Sequence, residues 1–374
     1  MELNAKGFRV GLVGPLPPPS GGMANQTRQL ARLLEAEGVA VEIVQVNAPY
    51  WPHWVGSLRG LREVFRMVPF LARLWVAAGR VQLFHVMANS GWAWHLCAVP
   101  AIWIAKLRHI SVVVNYRGGY AESFFERSFF WVGPTMRRAD RLIVPSGFLQ
   151  KVFARFGLNA EVVPNVVDLS RFVPRAEPAN SSRKKPHIIV TRNLESIYGI
   201  DTALHAFAIL RMNWPDAHMT VAGSGPEGDK LAELARELGL AANITFTGRL
   251  DNDRIAELYQ QADLFLNPSL VDNMPNSILE ALASAVPVVS TDVGGVPFVV
   301  EHEKTALLVP PRNPDAMAGA LLDLVGNPAK AASLASAGRE LVQQYTWQNV
   351  RPRLFRIYFQ IASAGPASAA AVVK

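Results

Sequence analysis

The chain has 374 residues, half of them hydrophobic and 18% charged, which suits two domains with buried cores and excludes disorder for most of its length. Its net charge of +7 is unevenly placed: residues 1–172 hold 19 Lys/Arg against 10 Asp/Glu, and residues 173–374 hold 18 against 20. The single cysteine, Cys97, excludes a disulfide framework or cysteine-rich metal site, and a basic half without charge runs or a nucleic-acid motif points to an anionic membrane surface or a phosphate-bearing substrate, not to nucleic acid.

Phe8 to Val13 reads as a buried first strand, too short to be the apolar core of a secretory signal, and Met1 to Gly7 before it is polar. No run reaches the length of a membrane span; the best, Gly91 to Ala105, is short and carries His95. A cytoplasmic location is the expectation. After the first strand come Gly21 and Gly22, then a helix to about Glu37 with Leu30, Leu33 and Leu34 on its inner face. Strand, Gly-rich loop and helix make a phosphate-binding shape, because free backbone N–H groups at the helix start attract anions and glycine lets a ligand come close; a Gly-Gly pair is also an ordinary turn.

Val39 to Val46 is a second strand, and Tyr50, Trp51 and Trp54 make the next loop aromatic. From Leu58 to Arg80 the pattern is helical. Leu58, Leu61, Phe65, Val68, Leu71, Ala72 and Trp75 share one side, and Arg59, Arg62, Arg66, Arg73 and Arg80 gather on another. That is the pattern of a helix lying on an anionic membrane, or of a surface helix with a solvated basic face. Pro69 is expected to kink or split it. Val81 to Val86 is a strand with His85 near its end. A helix from about Trp92 to Leu107 and the strand Ile110 to Val114 follow, then Asn115-Tyr-Arg-Gly-Gly-Tyr120 at the edge of a cleft. Asp140 to Pro145 is a strand and Ser146 starts a helix. Arg175 to Lys185, rich in Pro, Ser and Lys, reads as part of a linker spanning 173–185.

The second half opens with the strand His187 to Thr191, followed by Arg192 and Asn193 and then Tyr198-Gly199. Ala217 to Ala222 is a strand before Gly223-Ser-Gly-Pro-Glu-Gly228. This G-x-G-x-x-G follows the second strand of its half, and the next strand, Ile244 to Phe246, ends without an acid for a ribose, so a dinucleotide site is disfavoured. Asp251-Asn-Asp253 is read as a helix N-cap, not as a metal site. The strand Leu264 to Leu266 leads into a loop carrying Asp272 and Asn273, then Met274, and a helix starting near Pro275, Asn276 and Ser277. Asp272 and Glu280 bracket that start and offer acceptors to sugar or ribose hydroxyls beside a bound phosphate. Ser277-Ile-Leu-Glu280 also reads as a capping box, in which Glu280 needs no ligand. The strand Val286 to Ser290 and Gly294-Gly295 follow. Tyr345-Thr-Trp347 opens a last helix to about Ile361, before a loose tail.

The stretch from Asp272 to Glu280 resembles the nucleotide-sugar signature of retaining GT-B glycosyltransferases of the family 4 type, an acid, seven residues and a Glu, with Asp272 one methylene shorter than the usual Glu. The resemblance spans nearly the whole chain. It implies an α/β GT-B fold: two doubly wound Rossmann-like domains facing across a cleft, 1–172 on the acceptor side and 186–345 on the donor side, with residues 346–362 crossing back at Trp347. It implies transfer of a sugar, with retained configuration, from a nucleotide diphosphate sugar to a saccharide or lipid-linked acceptor. Neither cofactor nor metal is expected, and the leaving phosphate deprotonates the acceptor. Arg192 would hold the diphosphate with the Gly21-Gly22 loop and the Asn276-Ser277 helix start. Asp272, Asn273, Met274 and Pro275 would hold the donor sugar and Glu280 the ribose. Asn193, Tyr198, Gly223, Arg249 and Leu250 would line the donor site. The family's Lys before Gly199 is replaced by Tyr198, and its His facing the reacting sugar is absent between His109 and His187, for which Arg117 and the backbone of Gly118-Gly119 are the substitutes and His85 is the alternative, though a lone His at a strand end is more often structural. Three other classes stay open: a nucleotide-sugar epimerase of the same fold, a silent nucleotide-sugar-binding protein, and a dinucleotide oxidoreductase.

Overall fold

The computed structural model describes residues 7–18, 21–49, 62–176 and 185–363, with residues 62–64 described through their backbone alone. In chain order the elements are β1 (Arg9–Gly14), α1 (Gly22–Ala36), β2 (Ala40–Gln45), α2 (Arg62–Ala77), β3 (Leu83–Ala88), a π-helical turn (Trp94–Ala98), α3 (Val99–Leu107), β4 (Ser111–Tyr116), α4 (Ala121–Met136), β5 (Arg141–Val144), α5 (Gly147–Arg155) and β6 (Ala160–Val162). Then come β7 (His187–Val190), α6 (Ile200–Asn213), β8 (His218–Ala222), α7 (Gly228–Glu237), β9 (Ile244–Gly248), α8 (Asn252–Gln261), β10 (Leu264–Asn267), α9 (Asn276–Ala283), β11 (Val288–Thr291), β12 (Leu307–Val309), α10 (Pro314–Gly326), α11 (Pro328–Leu341) and α12 (Trp347–Ser363). Two units result: Met1–Pro164 with Val350–Lys374, and Asn165–Asn349.

The first unit is a parallel sheet in the order β2-β1-β3-β4-β5-β6. Its central strands β3 and β4 are buried along their whole length, as expected when helices cover both faces. On α2 the core side is Phe70, Leu74 and Ala77, while Phe65, Val68, Leu71 and Trp75 point to solvent. The helix runs through Pro69 without splitting. Leu58, Leu61, Arg59, Tyr50, Trp51 and Trp54 lie outside the described residues. Residues 121–139 carry no element in the sequence reading. The structure places α4 there, and its outward Phe130 and Trp131 blur the apolar period.

From Val350 onward α12 belongs to this unit. Arg351 Nη1 donates to both oxygens of Glu37 (2.7 and 2.8 Å), and Ser111 donates to the Ile361 carbonyl (2.9 Å). Tyr358 Oη lies 2.7 Å from His85 Nδ1, and Asn115 Nδ2 lies 3.0 Å from His85 Nε2. An amide nitrogen can only donate, so Nε2 accepts and Nδ1 carries the proton toward Tyr358. His85 sits in the middle of β3, not near its end, and is wholly buried. Burial, seconded by the charge of Arg117, pushes its pKa down to about 3, so it is a neutral strut between sheet and helix. Asn115 and Tyr116, expected after the strand, lie within β4.

The second unit has the order β12-β11-β10-β7-β8-β9, again parallel. The chain walks outward one way from β7 and the other way from β10. The loops leaving these two neighbours therefore diverge, which opens a crevice at their carboxyl ends. The stretch 173–176 is packed on this unit: Arg175 donates to the carbonyls of Gln260 (2.6 Å) and Ala262 (3.0 Å). Residues 177–184 of the linker reading lie outside the described residues, as does the tail beyond Ser363.

Candidate active site

The crevice is built from β10 outward. The buried Asn267 at its end donates to Ser290 Oγ (2.9 Å), Ser269 donates back to Asn267 Oδ1 (2.8 Å), and Thr291 donates to the Ser269 carbonyl (2.6 Å). These bonds fix the direction in which the loop leaves the sheet and so the position of Asp272. Arg192 arrives from the loop after β7. Its Nη2 is ion-paired with Asp272 Oδ2, its Nη1 lies 3.4 Å from Ser277 Oγ, and its Cζ sits 4.2 Å from the centre of the Tyr198 ring. Tyr198, expected to offer its hydroxyl in place of a lysine, thus presents a ring face that braces the guanidinium. Both charged side chains are only 11% exposed. Arg192 Nε is buried without a hydrogen-bond partner, a donor left unspent. Burial pushes the Asp272 pKa up, and Arg192 and the Asn273 amide oppose it.

The helix α9 begins at Asn276 with Pro275 at its cap position and no side-chain cap. The capping-box reading is therefore overturned. Ser277 is the second helical residue, not the cap, and Glu280 turns away to lie 3.3 Å from the Tyr259 hydroxyl. That hydroxyl is also 3.0 Å from the Ser277 carbonyl and 2.7 Å from Thr191 Oγ1. Burial lifts Glu280 to about 7, held back by the Tyr259 hydroxyl, Arg192 and Arg171. The loop ahead of the helix is pinned by Asn165, whose Nδ2 donates to the Met274 carbonyl (2.9 Å) and to Asn276 Oδ1 (2.8 Å). Asn165, Thr191, Tyr259 and Ser269 were missed from sequence. Each is remote from the signature and acts through one hydrogen-bonding group, which leaves no local pattern.

Glycines hold the two loops in place. A Cβ on Gly295 would lie 1.6 Å from the Asn273 carbonyl oxygen, and the Gly295 amide donates to the Asp272 carbonyl at 2.8 Å. Gly294 has φ +53°, a left-handed conformation that favours glycine. Gly223 abuts the other loop: its Cβ would meet the Arg192 carbonyl oxygen at 1.9 Å, and one on Gly225 would meet that of Leu194 at 2.3 Å. The G-x-G-x-x-G segment is filled by protein backbone, with the Glu227 amide donating to the Leu194 carbonyl (3.0 Å). A dinucleotide site at this motif is thereby ruled out, and Gly223 serves the crevice through Arg192. The Gly223 amide also donates to the Gly248 carbonyl (2.9 Å), which brings the following Arg249, exposed, and Leu250, half-buried, beside the Arg192 loop. Asn193 Nδ2 donates to Glu195 Oε1 (3.2 Å). Asp251 caps α8, accepting from the amides of Asp253 (3.1 Å) and Arg254 (2.9 Å).

Arg117, Gly21 and Gly22 belong to the first unit. Arg117 follows β4, donates from Nε to Asn115 Oδ1 (3.2 Å), and has its pKa lowered to about 9 by burial. Gly21 is the cap residue of α1, and a Cβ on Gly21 or Gly22 would meet open space, so local packing does not demand glycine there.

Two family models match. The description "Glycosyl transferases group 1" fits residues 175–341, and "Glycosyltransferase Family 4" fits residues 20–171. The chain is 32% identical over 208 residues to a GDP-mannose-dependent alpha-(1-6)-phosphatidylinositol monomannoside mannosyltransferase of Mycobacterium tuberculosis, covering 52% of this chain and 54% of that protein. It is 30% identical over 212 residues to a D-inositol 3-phosphate glycosyltransferase of Corynebacterium urealyticum, covering 53% of this chain and 50% of the relative. The match thus spans about half the length of these relatives. Among solved structures, a sucrose-phosphate synthase from Thermosynechococcus elongatus superposes with TM-score 0.75 at 22% identity, over 96% of this chain and 100% of its own. Anabaena HepE in complex with UDP gives 0.74 at 19% identity, over 94% and 100%. At these identities the likeness is one of fold, and the fold is GT-B.

Proposed function

This chain belongs to the group 1, family 4 glycosyltransferases, and from that premise we propose that it moves a sugar from a nucleotide diphosphate sugar to a saccharide or lipid-linked acceptor in glycoconjugate synthesis, retaining the anomeric configuration and using no metal. One observation carries the reading: a nearly buried Arg192 is held against Asp272 and Ser277 at the point where β7 and β10 part, with a donor nitrogen still unspent. The bond from the anomeric carbon to the diphosphate oxygen breaks, and a bond to the acceptor oxygen forms. The acceptor proton passes to the leaving phosphate. Stabilising that anionic diphosphate as it departs is the main task, and a guanidinium and uncapped first-turn amides suit it, since once set on the phosphates at binding neither reorganises during the chemical step. On binding, Arg192 exchanges part of its contact with Asp272 for phosphate oxygens. Asp272 is then available to sugar hydroxyls, and Glu280 accepts from the ribose. The outward apolar side of α2 (Phe65, Val68, Leu71, Trp75), with Arg73 beside it, supports peripheral contact with an anionic membrane.

The test is a panel of UDP-, GDP- and dTDP-sugars, with and without EDTA, read by thermal shift and nucleotide release. One donor should stabilise the protein and be slowly hydrolysed whether or not EDTA is present. Arg192→Ala should lower that rate by roughly 10²–10³-fold, the usual loss on removing one preorganised donor. An unchanged rate in the variant rejects the phosphate role of Arg192, and failure of every donor to bind rejects the reading as a whole.

A further inference from the structure

The first unit holds a second concavity, within itself, at the carboxyl ends of β3 and β4. It measures about 1050 Å³ and is lined by Trp92, His95, Tyr120, Phe124, Arg127 and Trp131, with small residues between them. Trp92, His95 and Phe124 form an edge-to-face series, with 6.2 Å between the centroids of each successive pair. His95 is carried on the π-helical turn Trp94–Ala98, a local distortion that often marks functional sites. Trp92 and Trp131 are 78% and 73% exposed, and Phe130 beside Trp131 is 79% exposed, an apolar patch that water would not favour unless something covers it.

The polar groups in the lining discriminate between ligands. Asn, Gln, Asp and Glu are absent from it, although these are the side chains that take pairs of sugar hydroxyls. Two of its hydroxyls are already engaged: Ser90 Oγ lies 2.7 Å from the Tyr116 hydroxyl, and Ser123 donates to the Tyr120 carbonyl (3.3 Å). Besides the hydroxyls of Tyr120 and Ser128, what remains is Arg127, which forms no ion pair among the described residues, with His95 beside a wall of aromatic faces. An apolar wall with one free cation and no opposing carboxylate complements a ligand that is apolar along its length and anionic at one point.

We propose that this groove is the acceptor's anchoring site and takes a lipid phosphate, the apolar chain lying on Trp92, Phe124 and Trp131 and the phosphate meeting Arg127. The proposal rests on the transferase reading and names the acceptor class for it. The lipid would hold the acceptor while its saccharide end extends away from the groove, which explains why the lining offers so little to a sugar.

The full chain is titrated with farnesyl phosphate below its aggregation concentration, following tryptophan fluorescence, alongside farnesol and glucose 1-phosphate. Saturable binding of farnesyl phosphate is expected. It should weaken about tenfold or more in Arg127→Glu and in Trp131→Ala, and glucose 1-phosphate should not compete. Equal binding of glucose 1-phosphate, equal binding of farnesol, or unchanged affinity in both variants would overturn the proposal. Thermal shift by the nucleotide-sugar panel is recorded on the same variants: if farnesyl phosphate binds and no donor does, the transferase reading fails and the groove stands, and the reverse result sinks the groove alone.

Discussion

Glu280 is a carboxyl facing a phenol, and its charge is the variable that matters at the residue scale. An unfolded Glu titrates near 4.5, whereas burial lifts the folded one to about 7. The folded chain therefore binds this proton more tightly than the unfolded chain. The stabilisation is complete below pH 4.5 and is lost as pH rises through 7, a drop on the order of 3 kcal/mol. Glu280→Gln removes the titration and keeps a hydrogen-bonding group near Tyr259. Melting temperature measured from pH 5 to pH 8 should fall more steeply in the natural chain than in the variant, and parallel curves would reject the assignment. The binding of nucleotide should show the opposite slope. A ribose hydroxyl donates best to an ionised carboxylate, so affinity should rise through pH 7 in the natural chain and stay flat in Glu280→Gln.

At the scale of elements, the crevice is two loops set by backbone contact. With its Cβ 1.6 Å from the Asn273 oxygen, Gly295→Ala must displace the loop that carries Asp272. It should cost roughly 1–3 kcal/mol and weaken donor binding together. Gly319, on the exposed side of α10 with open space where a Cβ would go, is the control: Gly319→Ala should stabilise by roughly 0.5–1 kcal/mol and leave binding alone. Denaturant midpoints and nucleotide titrations on both variants decide it, and equal tolerance at the two positions would contradict the packing argument. Strands and loops of this kind are legible in sequence, because β7, β10 and their neighbours are short apolar runs closed by Gly, Pro and Asn, and the acid-to-Glu spacing sits where one of them ends. What sequence hides is contact across the chain. Tyr259 reaches Glu280 and Ser277 from α8, and nothing near Ser277 signals that its cap is Pro275. His85 reads as a strand-end candidate until Tyr358, 273 residues away, is seen to accept the hydrogen bond from its Nδ1. Outward aromatics on α4 break the period that would have revealed the helix.

Over the whole molecule the excess positive charge falls in residues 1–172, and the first unit also carries the largest outward aromatics. The two features interleave. Arg108 on the turn after α3 lies 4.9 Å over the Trp75 ring of α2, and Arg138 after α4 lies 4.4 Å over the Trp103 ring of α3. Three successive helices are thus joined on their outer side by cation and ring, the pairing that suits the boundary between lipid headgroups and acyl chains. No described helix is long and apolar enough to cross a membrane, so contact would have to be peripheral. Each basic side chain near an anionic surface contributes about 1 kcal/mol, attraction that salt screens within a Debye length of about 10 Å at 0.1 M. The full chain should float with vesicles containing phosphatidylglycerol and not with pure phosphatidylcholine, and raising salt should release it. Reversing Arg73 and Arg138 to Glu should weaken flotation by roughly tenfold or more, since two attractive charges become repulsive. Trp75→Ser should weaken it without changing its salt dependence, because the ring contributes buried area and not charge. Binding that ignores both salt and lipid charge would show that this face is a solvated surface and that the positive charge of the first unit is there for its substrates alone.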